Sequence, residues 1–409
     1  MPMNVLDNKT SVCESCGDFV QTTVLCENNS VYYEKECPKC GKQRTLISID
    51  LDYYQRSNST NQKELPFSPS AKTASGCPYD CGLCEKHQQK VYMAMVETTD
   101  DCNVRCKTCI AGSCPGGKQY ISVDELKSII NTVKTVQNNC DLLMLSGGEP
   151  TIHPEILEMI DCCQEMGVQH TMIISNGLRI ANDINFVNEL SKRKSFIEIY
   201  LQFDSLNDTT LRDLRGDELT VDIRKRAVDN LERVNIHYTL VCIIKKSVND
   251  NEIKDILEYA MSKKYARGVT FQPLKDIGRG NNYEKYANYI TLSEVRKLIA
   301  ETGIISEDEL IPHPCNGNCI CIGYLNQNRT AVTSFLYNEF EHRDSLKDLM
   351  YYLPNLDTDN TKYCELFRIT VVSFLDKYNF TLEDVKKCGI CFVSSDGRLV
   401  PFDTHYSYN

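Results

Sequence analysis

The chain has 409 residues, enough for a full-size core with one or two smaller modules beside it. Its 56 acidic and 45 basic residues leave a net charge of −11, which repels a phosphate backbone and confines any nucleic-acid surface to a local exception. No apolar window reaches the roughly 18 residues a membrane span needs, and Met1-Pro2-Met3-Asn4 has neither the basic nor the apolar run of a signal peptide, so a cytoplasmic setting is expected.

Cysteine is the outlier, with 22 in the chain. In a long chain with no secretory leader in view, clustered cysteines read as metal ligands rather than as a disulfide framework. Residues 1–54 begin with Cys13-x-x-Cys16-Gly17 and Cys37-x-x-Cys40-Gly41, two knuckles joined by an extended stretch around Val31-Tyr32-Tyr33. Four thiolates in this arrangement suit one tetrahedral ion, iron or zinc. Residues 55–75, rich in Ser, Asn, Pro and Lys, read as a linker. Cys77, Cys81 and Cys84 follow as a three-thiolate loop within residues 55–90.

From residue 91 to about 300, apolar strands alternate with amphipathic helices. Strands are expected at 91–97, 142–145, 168–175, 197–203, 237–245 and 268–272. Helices are expected after Ser122, where Ser122 and Glu125 form a capping box, and at 154–166, 183–193, 221–234 and 250–263. Six such repeats predict an α/β fold with a parallel sheet, a partial or complete β/α barrel whose chemistry lies at the C-terminal strand ends. Residues 301–409 lose the rhythm and read as a capping region with more cysteines: Cys315, Cys319 and Cys321, with Cys364, Cys388 or Cys391 available to complete a site. Cys162, Cys163 and Cys242 fall in helix and strand patterns and read as small buried hydrophobes.

Two motifs carry the chemistry. Cys102-Asn-Val-Arg-Cys106-Lys-Thr-Cys109 follows the first barrel strand, and three thiolates in a short loop can hold three irons of a [4Fe–4S] cluster, leaving the fourth open. A structural zinc site, the bland alternative, would call for four closed ligands. Ser146-Gly147-Gly148-Glu149-Pro150 follows the second strand, with glycines that let backbone approach a ligand closely.

In combination, C-x3-C-x2-C after strand one and GGEP after strand two resemble the radical S-adenosylmethionine (SAM) superfamily over residues 91–280. The resemblance implies a partial (β/α)6 barrel, a SAM-binding cluster on Cys102, Cys106 and Cys109, and cleavage of SAM to a 5′-deoxyadenosyl radical that takes hydrogen from the substrate. It implies that Gly147, Gly148 and Glu149 hold the SAM amino end. Ser175, Asn176, Gln202 and Asp204, at the ends of strands three and four, would face cosubstrate or substrate. Thr239 and Phe271-Gln272-Pro273 would lie near the ribose or adenine. Thr108 stands where the family often has an aromatic residue, which removes an expected ring contact to adenine.

Gly76-Cys77-Pro78-Tyr79-Asp80-Cys81-Gly82-Leu83-Cys84, the double knuckle and Val400-Pro401-Phe402-Asp403-Thr404 are similar to the branch containing tetraether lipid synthase and the methanopterin-pathway methylases. That branch implies a rubredoxin-like N-terminal domain, one or two auxiliary [4Fe–4S] clusters, a flavodoxin- or ferredoxin-type electron donor and C–C bond formation at unactivated carbon, by chain coupling or methylation. The rivals are modification of a ribosomally made peptide, a zinc ribbon binding nucleic acid through Lys35, Lys39, Lys42 and Arg44, and a pure electron-transfer protein. His153 reads as a loop hydrogen-bonder. His313 and His405 sit near cysteines, though lone histidines are seldom ligands. Arg279, between Gly278 and Gly280, could meet a substrate carboxylate or phosphate, a solvated loop being the commoner outcome.

Overall fold

The computed structural model describes residues 4–59, 68–69, 71–282, 285–313, 316–326, 328–334, 366–394 and 396–408. The N-terminal module is an antiparallel meander of β1 (Asn4–Val12), β2 (Phe19–Glu27), β3 (Ser30–Cys37) and β4 (Gly41–Ser48). Each knuckle is the turn of one hairpin. Gly17 (φ 76°) and Gly41 (φ 80°) take the left-handed conformation that closes it, which a side chain would resist.

The sequence boundary at residue 54 cuts through a helix, α1 (Leu51–Ser59), that buries Tyr53 and Tyr54 against its neighbours. The module is docked on the barrel by buried polar contacts. Lys35, with no exposed side-chain surface, donates to the carbonyls of Lys377 (2.6 Å) and Tyr378 (3.1 Å). Ser11 donates to the carbonyl of Phe380 (2.6 Å), and Lys285 pairs with Glu14 (2.5 Å). The four thiols therefore brace a module whose inner face is part of the protein interior. Replacing Cys13 and Cys37 together by serine is expected to empty that site and to melt β1–β4 ahead of the barrel, seen as a new low-temperature calorimetric transition.

The barrel strands are β5 (Met93–Thr99), β6 (Leu142–Gly147), β7 (His170–Ser175), β8 (Ile197–Gln202), β9 (Tyr238–Ile244) and β10 (Ala266–Pro273), all parallel and in chain order. Their connecting helices include α2 (Val123–Gln137), α3 (Ile156–Glu165), α4 (Leu178–Asn182), α5 (Ile184–Ser191), α6 (Asp208–Arg215), α7 (Val221–Val234) and α8 (Ile253–Met261). The capping box forms as expected at α2: Ser122 Oγ accepts from Glu125 N (3.2 Å) while Glu125 accepts from Ser122 N (2.6 Å). Helix α6 has no counterpart in the sequence pattern.

The C-terminal region does more than cap. β11 (Ile311–Pro312), β12 (Ile320–Leu325), β13 (Phe367–Val372), β14 (Ile390–Val393) and β15 (Leu399–Pro401) extend the sheet at both edges, in the order β11-β12-β13-β10-β9-β8-β7-β6-β5-β14-β15. β13 is parallel to β10, and β14 is parallel to β5. One face of this curved sheet packs on the helices through Leu143, Ile173, Leu201, Leu240 and Phe271. The other face encloses a lumen.

Candidate active site

Alternation along each parallel strand decides which residues see the lumen. Met93 and Met95, Met144 and Ser146, Met172 and Ile174, Tyr200 and Gln202, Val241 and Ile243, and Thr270 and Gln272 line it from β5 to β10. Arg368, Thr370 and Val372 continue the wall on β13. The middle of the lumen is apolar and rich in methionine. Its floor, at the N-terminal strand ends, holds Glu198 between Arg368 (2.7 Å), Thr239 (2.5 Å) and His170 (3.4 Å).

The three-cysteine loop lies across the opposite end. Cys102, Cys106 and Cys109 all line the same cavity as Gly147, Gly148 and Glu149. Burial, with Glu149 and the other two thiols nearby, pushes Cys102 up to about 12. Burial likewise raises Cys106, against which the adjacent Arg215 guanidinium acts. Thiols so placed ionise readily only when cations meet them. The donor set fits a cluster: three thiols converge on one cavity, an arginine stands beside them, and a glycine cradle faces them. They do not form the tight four-sulfur group that a single ion takes.

The cradle is laced to the loop by backbone. Gly148 N donates to Thr99 O (2.7 Å) and Glu149 N to Asp101 O (2.9 Å). Glu149 is buried, and burial raises its carboxyl despite Thr151 N (3.1 Å), Thr151 Oγ1 (2.6 Å) and Asn176 N (2.7 Å), with the Ser175 hydroxyl acting the same way. It thus ties the end of β6 to the end of β7 while presenting an edge to the cavity. Asn176 reaches the cavity and donates to Asn103 (2.7 Å) and towards Cys102 Sγ (3.9 Å). Gln202 and Gln272 also line it.

Three candidates lie elsewhere. Ser175 takes the opposite strand parity and accepts from Gly177 N (3.0 Å), supporting the turn into α4. Asp204 is fully buried and consumed by Arg215 (2.7 and 2.8 Å), Arg224 (3.7 Å) and Ile243 N (2.9 Å). Thr239 belongs to the floor, because it is the second residue of β9, far from the strand's C-terminal end. Of the weaker segment, Phe271 packs on the helix side while its neighbour Gln272 turns inwards.

Arg215, which the sequence did not single out, holds the loop in place together with Thr108 and Arg279. Arg215, on α6, joins Asp204 and Gln202 Oε1 (2.6 Å) to Cys106. Thr108 donates to Leu214 O (3.1 Å). Arg279 is neither solvated nor aimed at a substrate anion: it donates to the carbonyls of Cys106 (2.7 Å), Ser113 (2.6 Å) and Gly112, and its own N–H to Cys109 O (2.9 Å). Arg279→Ala is expected to weaken iron retention at Cys102, Cys106 and Cys109 by about 10- to 100-fold, read as iron and sulfide remaining after a chelator wash. The four-cysteine module should keep its ion in the same sample.

In the N-terminal module, the Sγ atoms of Cys13, Cys16, Cys37 and Cys40 lie within 4.8 Å of one another, as a mononuclear site requires. Burial opposes ionisation of Cys13, but the amides of Cys16 and Ser15 outweigh it and hold the thiol below its ordinary range. The basic residues on this module are spoken for: Lys39 pairs with Asp18 (2.6 Å), Arg44 with Glu27 (2.6 Å) and Lys42 with Glu34 (3.9 Å), while Lys35 is buried.

Cys77 and Cys81 face each other, and their interaction lowers Cys81 and raises Cys77, while Cys84 lines the same small cleft with His87. Cys319 packs in the apolar cluster that also holds Cys81. Cys321 instead faces the helix side beside Tyr53, where burial pushes it to about 12, so the structure separates two members of the expected fourth set. Cys315 and Cys364 lie outside the described residues. Cys388 and Cys391 are buried on and beside β14. His153 hydrogen-bonds Ile121 O (3.0 Å), and His405 meets Glu97 (3.2 Å) and stacks on Phe392. His313 is buried, and burial lowers it to about 4.

Residues 96–260 match the radical SAM superfamily, and residues 5–49 match the HMPTM N-terminal zinc ribbon domain. The chain is 25% identical, over 98% of its length and 93% of the relative's, to 7,8-dihydro-6-hydroxymethylpterin dimethyltransferase of Methanocaldococcus jannaschii. It is 25% identical to the GTP 3′,8-cyclase of Clostridium botulinum over 52% of this chain and 65% of that one. Among solved structures, Streptococcus suis SuiB bound to precursor peptide SuiA matches with 14% identity and a TM-score of 0.40, covering 65% of this chain and 64% of that one. A radical SAM methyltransferase from Sphaerobacter thermophilus matches with 12% identity and a TM-score of 0.36, covering 74% and 75%. With its cysteine loop and glycine cradle set across the mouth of a parallel barrel, the chain is an enzyme with a radical SAM domain and an N-terminal zinc ribbon, and it resembles the methanopterin-pathway methylases.

Proposed function

We propose that the protein transfers a methyl group from SAM to an unactivated carbon of a small molecule held in the barrel lumen. The observation that carries this reading is the methionine-walled, apolar lumen directly beneath Cys102, Cys106 and Cys109. A carbon radical survives longest away from water and polar hydrogen donors, and Met93, Met95, Met144 and Met172 make the middle of this lumen apolar. Similarity along almost the whole chain to an enzyme named as a dimethyltransferase supports the methyl outcome over chain coupling or peptide modification.

Cys102, Cys106 and Cys109 would hold a [4Fe–4S] cluster, which when bound supplies the electron that cleaves the SAM sulfonium. Gly147 and Gly148 would admit the amino-acid end of SAM, and Glu149 and Asn176 would orient it. Gln202 and Gln272, on β8 and β10, would border the nucleoside. Arg215 stabilises negative charge on the sulfurs, and Arg279 keeps the loop closed. Cys77, Cys81 and Cys84 would bind an auxiliary cluster beside the zinc ribbon, reduced by a flavodoxin- or ferredoxin-type donor. This oxygen-sensitive chemistry suits a cytoplasmic setting.

The test is transfer of label from SAM bearing a trideuterated methyl group, with dithionite and anaerobically reconstituted enzyme. 7,8-Dihydro-6-hydroxymethylpterin is the first acceptor offered, and a cytosolic small-molecule extract the second. Mass gain in an organic product accompanied by 5′-deoxyadenosine supports methyl transfer. Nucleoside release with no labelled product from either acceptor source contradicts it.

A further inference from the structure

The floor of the lumen has donors to spare. Arg368 Nη2 is used by Glu198 (2.7 Å) and Thr239 (3.1 Å), whereas no bond of its Nε or Nη1 is present among the described residues. Its side chain keeps 12% of its exposure although it lies inside the barrel, and it lines the cavity. Beside it the Tyr200 and Thr270 hydroxyls share one hydrogen bond (2.6 Å), leaving the pair a further lone pair and, on one member, a proton to offer. Both line the cavity too, as does Thr370. Glu198 is wholly buried and its second oxygen, Oε2, faces His170 Nε2 at 3.4 Å, so the carboxylate is held within this polar layer. No residue proposed to hold SAM or the cluster belongs to this layer.

The geometry points to a second binding subsite at the lumen floor, formed by Arg368, Tyr200 and Thr270, that receives a neutral oxygen acceptor at the inner end of the substrate. The inference rests on the reading that the substrate occupies the lumen. Charge selects the neutral acceptor. Arg368 is already neutralised by Glu198, and a carboxylate arriving there would place a second buried anion beside the first, which a low-dielectric site disfavours. A carbonyl needs only one unused guanidinium N–H group and a hydroxyl. Length follows from the strands: Tyr200 and Gln202 are two residues apart on β8, about 7 Å along the barrel axis direction. The substrate class is therefore a molecule with an apolar or flat apolar-faced body, its reacting carbon at the upper end and a carbonyl at the lower.

The probes are octanamide and octanoate, titrated calorimetrically into anaerobic SAM-loaded holoenzyme. The expected result is at least tenfold tighter binding of octanamide. Removing Arg368 alone would leave Glu198 unpaired in the interior, so the variant is the double Glu198→Gln/Arg368→Met, with Tyr200→Phe as an independent second. Both should reduce octanamide binding to the level of octanoate while SAM binding, read in the same cell, persists. Equal or tighter binding of octanoate by the wild type overturns the subsite, as does no binding of octanamide. Unchanged octanamide affinity in both variants overturns it equally. Because the readout is binding, failure here leaves label transfer to judge methylation separately.

Discussion

Asp204→Ala is expected to destabilise the protein by about 3–5 kcal/mol and to strip iron from the active-site loop. Asp204 is paired with two buried arginines, and its side chain and that of Arg224 have no exposed surface. Removing it strands both guanidinium groups, and Arg215 loses the support that aims it at Cys106. Burial alone would raise the Asp204 carboxyl, but Arg215, Arg224 and the Ile243 amide together hold the group below its usual range. A depressed carboxyl stabilises the fold at pH values above the ordinary aspartate range and ceases to do so as pH falls through that range and below it. Asp204→Asn keeps the volume and an acceptor for Ile243 N, so it should retain more stability than alanine while losing part of the acid limb of the wild-type profile. Urea melts at pH 7 and pH 4 measure both effects, with iron content as the second readout.

Gly148→Ala should be nearly as damaging to activity with less effect on global stability. A Cβ on Gly148 would lie 1.8 Å from Asp101 O, and one on Gly147, whose φ is 110°, would lie 2.3 Å from Thr99 O. The obstacle is backbone, so relief requires the start of the cysteine loop to move away from the cradle. A displacement of about 1 Å there is expected to slow SAM cleavage by around 10²-fold. Single-turnover 5′-deoxyadenosine formation, compared with the iron content of the same preparation, separates a misplaced cluster from a missing one.

The repeating part of this molecule was legible because strands and helices impose different periods, and the two knuckles because a C-x-x-C-G turn needs its glycine. The lumen was harder to read. Strands buried on both faces appear as continuous apolar runs, so parity is hidden in the sequence. That is why Ser175 and Thr239 looked equivalent to Asn176 and Gln272, although only the latter two reach the cavity. Asp204 stands at a strand end, as expected, but its partner Arg215 comes from a helix that the periodicity did not mark. The edge strands β13 and β14 join the barrel only through tertiary pairing, which no local pattern announces. Cys319 and Cys321, two residues apart, enter different clusters because one precedes β12 and the other lies within it.

The most direct measurement is 5′-deoxyadenosine release from anaerobically reconstituted enzyme given SAM and dithionite, beside the Cys102→Ala/Cys106→Ala/Cys109→Ala variant. The account predicts nucleoside from the wild type and none from the variant, which should still hold the ion of its N-terminal module. Equal nucleoside from both, or none from a wild type shown to bind SAM and a full complement of iron and sulfide, would contradict it.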